Sequence, residues 1–249
     1  MLRYAIATIL CALVLAGCKS DSGTTTPPIT PITDNLFPLV AGHQYEYAGY
    51  LVDTNQVDIA KPGIPPGAYS TTWTVLPGPG GTWLIKDSTR VAGTSSVRYL
   101  LIRKDTTTGD FDFRQTLGPF LRRFGVAYTD TAIWVKVARP SMGIGNIWVA
   151  FDTTVTGNVP PIGTADVHIV IYGKIEGQVA IIDSSAGHAT HQCYKVRTWR
   201  EITVGGFVVQ TDATTAFLWL EKDLGPIQVN IAGDSENYGH FRVLKTRNF

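Results

Sequence analysis

Charge of one sign is what this 249-residue sequence most lacks: 21 Lys and Arg stand against 20 Asp and Glu, and only 16% of residues are charged. A nucleic-acid binder presents a basic stripe, and the densest basic spot here is the Arg122-Arg123 pair, so no nucleic acid is expected as a partner. Cysteine is scarce as well, at Cys11, Cys18 and Cys193, too few for a disulfide framework. No apolar run reaches the roughly 20 residues that a helix needs to span a bilayer. A nucleophile elbow, a zinc-protease helix, a phosphate-cradling glycine loop and an EF-hand are all missing. The chain is therefore expected to be non-catalytic and to carry no cofactor.

What is present begins at the N-terminus. Arg3 supplies a positive start, Tyr4 to Leu15 an apolar core, and small residues then lead to Cys18. That layout predicts a secretory signal rather than a spanning helix. Leu15-Ala16-Gly17-Cys18 resembles the bacterial lipobox. The resemblance implies cleavage before Cys18, acylation of its thiol and new amino group with palmitate-like chains, and permanent membrane attachment. Cys11 would leave with the signal. At roughly 0.8 kcal/mol per buried CH₂, several acyl chains suffice for such an anchor. Lys19 stands where an aspartate would favour the inner membrane, so the expected location is the outer membrane of a bacterial envelope.

The expected organisation is a signal peptide over 1–17, a lipidated Pro/Thr/Ser-rich tether over 18–34 and one β-rich domain over 35–249. The tether, with Thr24-Thr25-Thr26-Pro27-Pro28 at its centre, lacks apolar periodicity and reads as an extended spacer. Beyond it, period-two alternation dominates. Strands are predicted over 43–53, over 69–91 as a pair broken at Pro77-Gly78-Pro79-Gly80-Gly81, and over 96–105, 131–140 and 146–157. Residues 165–185 read as a hairpin about Gly177. Three strands follow over 191–234, two of them joined by Gly205-Gly206, and a last one lies over 237–248. The 43–53 pattern places Tyr45 and Tyr47 on alternating faces. The fold class is all-β: an antiparallel curved sheet, a sandwich or a partly closed barrel. A membrane-spanning barrel also alternates, but a lipobox, a Pro-rich tether and the polar Lys245-Thr246-Arg247-Asn248 ending argue against one.

Two segments carry a second resemblance. Phe37, Pro38, Leu39, Gly42, Tyr45 and Tyr47 of "LFPLVAGHQYEYAG" resemble the opening of uncharacterised β-rich envelope lipoproteins of Bacteroidota and related bacteria. Trp219, Leu220, Leu224, Gly225, Pro226 and Ile227 of "AFLWLEKDLGPIQVN" resemble a late segment of the same proteins. This implies a curved antiparallel fold, loosely similar to the half-barrel carriers of the Lol type, and brings no catalytic residue. The matching residues read as architectural: Phe37 and Leu39 secure the chain entry, and Gly225-Pro226 separates two strands.

Candidate site residues are few. His188, His191 and Cys193, with Asp183 as a conceivable fourth, are the weak candidates for a metal, and none is expected to hold one. Glu201, Glu221 and Asp223 flank late strands without a spacing that marks a glycosidase pair. Among the aromatics, Trp73, Trp83, Trp134 and Trp148 are the candidates for lining a ligand groove, since exposed ring faces dock sugars and acyl chains. The expected partners are the membrane, through the lipid on Cys18, and an envelope protein or an apolar or carbohydrate ligand at the β domain.

Overall fold

The computed structural model describes residues 29–52, 69–91, 93–116, 121, 132–182, 190–233 and 239–249. The signal, the lipobox with Cys18, and the first part of the tether lie outside them. The described chain is almost entirely antiparallel sheet. Its strands are β1 (Gln44–Val52), β2 (Tyr69–Pro77), β3 (Trp83–Val91), β4 (Thr94–Lys104), β5 (Phe111–Thr116) and β6 (Ala132–Ala138). They continue as β7 (Ile147–Val159), β8 (Gly163–Ile182), β9 (Thr190–Val204), β10 (Phe207–Glu221), β11 (Gly225–Ile231) and β12 (Gly239–Arg247).

The 12 strands form one sheet in the order β6-β5-β4-β3-β2-β1-β12-β11-β10-β9-β8-β7. Every sequence neighbour is therefore a sheet neighbour except β6 and β7, and the two ends of the chain meet at the centre, where β1 pairs with β12. The sheet curls until β6 approaches β7 and leaves a nearly closed barrel. Trp148 holds that seam: its Nε1 donates to the Lys136 carbonyl at 2.9 Å. Its ring lies flat over Gly173, where a Cβ would fall 2.2 Å from the indole. Only glycine leaves that space.

Turn chemistry accounts for the strand boundaries. Pro79–Gly81 forms a single 3-10 turn between β2 and β3, and Gly205 and Gly206 both take positive φ between β9 and β10. Two expectations need correction. The hairpin predicted about Gly177 is a single strand, β8, and Gly177 sits at a bulge where the register against β9 shifts between Ile175 and Gly177. A lone glycine in an apolar, β-branched run makes a bulge as readily as a turn, and here the ladder continues on both sides. Tyr45 and Tyr47, two residues apart, share one face and are both buried, 0% and 2% exposed.

The larger apolar core fills one end of the barrel, and a smaller one of Leu121, Val159, Val167, Ile169, Ile202 and Val204 packs at the other. The filled end gathers the start of β1, the end of β2, the start of β5 and the facing ends of β10 to β12. Leu36 and Phe37, ahead of β1, insert there and are fully buried. Phe37 meets the rings of Tyr45, Trp73 and Phe111 at centroid distances of 6.2, 6.5 and 5.5 Å, two of them edge-on. Tyr47 Oη donates to the Pro226 carbonyl at 2.9 Å. At Gly225, whose φ is +92°, an added Cβ would stand 3.1 Å from the Tyr45 hydroxyl and 3.3 Å from Phe37. The two segments that carry the family resemblance, far apart in the chain, thus form one plug. The tether's last residues join it. Ile32 is buried and its amide donates to the Pro140 carbonyl at 2.9 Å, while Asp34 accepts from Tyr194 at 2.8 Å and pairs with Lys222 at 3.0 Å. The packed chain therefore begins by Ile32, ahead of Leu36.

Outward positions in mid-strand include charged residues. Lys174 and Lys195 alternate with the buried Ile175 and Val196, and Lys195 pairs with Glu176 at 2.8 Å. Ammonium and carboxylate groups in mid-strand suit water rather than acyl chains on that face.

Candidate functional site

Toward the other end of the barrel, the sheet borders a broad, open-mouthed cavity of about 1650 Å³. Every strand except β1 and β7 contributes to its wall. Ligand pockets commonly run from about 300 to 1,000 Å³, so this space is generous. Strand alternation explains the lining. Val135 and Val137 on β6, Ile169 and Ile171 on β8, and Leu218 and Val229 on β10 and β11 all project inward and make part of the wall apolar, while Thr198, Arg200, Thr214 and His240 make another part polar.

Against that wall stands a cluster of buried charge. Asp87 on β3 is fully buried although ionisable. Its Oδ1 accepts from Thr71 and, at 2.8 Å, from Thr89. Its Oδ2 accepts from Arg98 Nε at 2.9 Å. Arg242 Nη1, from β12, lies 3.7 Å from the same oxygen. Burial alone would raise the Asp87 pKa, but the Arg242 and Arg98 charges and the two threonine hydroxyls outweigh it and hold it at about 2.

Arg242 is itself 1% exposed. Its guanidinium lies 4.2 Å from the Trp73 ring centre and 5.4 Å from that of Tyr47. The residue opposite it on β1 is Gly49, which offers no side chain to block the reach from β12 toward β2 and β3. Beside it, His240 stacks on Tyr69 at 5.8 Å. Burial first, and then the charges of Arg242 and Arg98, keep that imidazole neutral, with its pKa well below the usual value. Among the described residues, His240 Nε2, Trp73 Nε1, and Nε and Nη1 of Arg242 have no hydrogen-bond partner.

The four candidate tryptophans separate in space. Trp73 lines the cavity and is 1% exposed. Trp148 is the seam closure. Trp83 packs on the core at the start of β3. Trp134 alternates with the inward Val135, so it faces outward, and Arg103 lies 4.7 Å over its ring. The four do not form one groove. His188 and Asp183 lie outside the described residues. His191 Nδ1 meets Glu221 Oε2 at 2.5 Å, and no group of three His, Cys, Asp or Glu side chains able to hold a metal occurs among the described residues.

Cys193 is fully buried, and burial, then the Glu221 carboxylate, push its thiol up to about 12. In a chain beginning at Lys19, from which Cys11 and Cys18 are absent, Cys193 is expected to stay unmodified by iodoacetamide at pH 8 and to react fully in guanidinium. Mass spectrometry of the quenched samples reads both states, and rapid alkylation of the folded chain would contradict the burial.

The inward-facing charges are what sequence reading missed. Their one signal is register: Asp87 follows the inward Ile85 by two residues, and Arg242 precedes the inward Leu244 by two.

No family model and no curated protein matches the chain. Among solved structures, it is similar to a provisionally assigned lipoprotein of Parabacteroides distasonis, at 13% identity and a TM-score of 0.46, over 86% of this chain and 99% of the other. It is also similar to a provisionally assigned exported protein of Bacteroides fragilis with a YmcC-like fold, at 9% identity and a TM-score of 0.38, over 86% and 98%. Neither likeness, at that identity and superposition, assigns an activity to this chain.

Proposed function

We propose that the mature chain is a lipoprotein of a bacterial envelope, anchored through acylated Cys18, whose barrel holds an apolar ligand in this cavity and performs no chemistry on it. The observation that carries this reading is the cavity of about 1650 Å³ under a continuous, nearly closed sheet. The apolar part of its wall offers a surface for a ligand with hydrocarbon groups. A sugar would dock on open ring faces, yet of the four candidate tryptophans only Trp73 lines the space, and Arg242 covers its ring. The lipobox pattern and the spacer support the anchor, and Lys19 after the acceptor supports the outer membrane.

Two measurements test the two halves separately. Cells fed radioactive palmitate are expected to label the protein, with the label lost and the chain released from the membrane fraction in Cys18→Ala; equal labelling of both would remove the anchor. Native mass spectrometry of protein purified from its own membrane is expected to show a bound small molecule that carries hydrocarbon. A chain that repeatedly emerges with an empty interior, and takes up no acyl compound offered to it, would remove the ligand.

A further inference from the structure

The described residues that line the cavity include four arginines, Arg98, Arg114, Arg200 and Arg242, and not one aspartate or glutamate. The whole sequence is balanced at 21 basic to 20 acidic residues, so this one-sided lining is local. Arg200 is engaged by Gln210, its Nε donating at 2.9 Å. Arg98 uses Asp87. Arg242 shares its carboxylate: Asp87, 3.7 Å away, also accepts from Arg98 and two threonines. The Arg98–Asp87–Arg242 group therefore carries a net charge of +1, with the Arg98 side chain half exposed to solvent.

The Arg242 charge is costly where it stands. A guanidinium 1% exposed has lost its water, and a buried cation is tolerated when paired and hydrogen-bonded. Here Nε and Nη1 donate to nothing among the described residues, and Nε2 of His240, two residues away on the same inward face of β12, is likewise unused. The rings of Trp73 and Tyr47 offset part of the cost by cation–π attraction. They leave Nε and Nη1 without hydrogen bonds, and Arg242 lines the cavity. Directly across the ladder from Arg242 is Val229, and across from that Leu218. The cationic donors thus border the apolar wall.

We propose that the cavity binds an amphiphile with an anionic head, the head accepting hydrogen bonds from Arg242 and its hydrocarbon lying along the wall formed by Leu218, Val229, Ile169, Ile171, Val135 and Val137. This rests on the reading of the barrel as a container for an apolar ligand and adds the chemistry of the head. Carboxylate and phosphate heads share that chemistry, since the guanidinium fork fits either.

The chain from Lys19 to Phe249, which holds every strand and the plug, is the material for the test, with calorimetric titration in detergent-free buffer. Oleate, oleyl alcohol and lysophosphatidylglycerol are the probes. Oleate is expected to bind at one site about tenfold or more tighter than oleyl alcohol, the margin that a charge-assisted hydrogen bond supplies. Whichever of oleate and lysophosphatidylglycerol binds tighter identifies the head as carboxylate or phosphate, and either order supports the proposal. Arg242→Gln is expected to lower oleate binding to the level of the alcohol and leave alcohol binding in place. The comparison of oleate with its alcohol needs no substitution, so it stands if that variant does not fold. Equal affinity for oleate and oleyl alcohol would overturn the anionic head while leaving the container intact. No binding of any of the three would overturn the container itself.

Discussion

Phe37→Ala is expected to destabilise the barrel by about 3–5 kcal/mol, the range for truncating a fully buried aromatic. Domains of this kind are stable by only about 5–15 kcal/mol in total, so the loss is a large part of the whole. The reason is position. Phe37 belongs to no strand, yet its ring sits among Tyr45, Trp73 and Phe111 and against Gly225, so its removal opens a cavity lined by elements from both halves of the sheet. Those neighbours are strands held by their own ladders and cannot collapse inward far. Urea unfolding followed by tryptophan fluorescence measures the effect as a lower midpoint. A shift under about 1 kcal/mol, the ordinary size of a point-mutant effect, would show that the barrel end closes without its plug.

Asp87→Ala is expected to cost as much, about 3–5 kcal/mol, because it leaves two guanidinium groups facing each other without their shared carboxylate. The pH dependence isolates the same group. The carboxyl of Asp87 is held at about 2 in the folded chain, below the ordinary aspartate value of about 3.9. A depressed carboxylate pKa stabilises the fold above the unfolded value, and that contribution is lost as pH falls from about 4 toward 2. A depression of that size contributes on the order of 2–3 kcal/mol at neutral pH. Urea midpoints of the unmodified chain and of Asp87→Asn should therefore differ most above about pH 5 and draw together toward about pH 2. All other carboxylates are common to both proteins and cancel in the difference. Parallel curves across that range would mean that Asp87 is not the ionised centre of the cluster.

The cavity and the plug are two responses of one sheet to different inward residues. Near the plug, large apolar side chains meet across the barrel and fill it. Farther along, the inward rows carry Thr198, Arg200, Thr214 and His240, and the strands stand apart around a space. A barrel filled throughout would need no charged residues inside, and Asp87, Arg98 and Arg242 would be only a cost. Arg98 and Arg242, on a wall of mixed apolar and polar residues, are the groups that the proposed anionic head would meet.

Local features are legible in the residues alone. Alternation in runs such as Ile147–Val159 marks strands, because a pleated chain with one wet face must alternate. Pro79, Gly205 and Gly206 mark turns, because the backbone there needs a fixed or positive φ. Both signals are complete within a few residues. β5 escapes such reading, since Phe111–Thr116 is short and ends in exposed polar residues. Gly177 defeats it in another way, since bulge and turn look alike locally. Folding in three dimensions was needed to join β1 to β12, to pack the chain entry at Phe37 under Gly225, and to carry Arg242 across β1 to Asp87. Those contacts depend on register and curvature summed over 12 strands, and no short stretch of residues contains that sum.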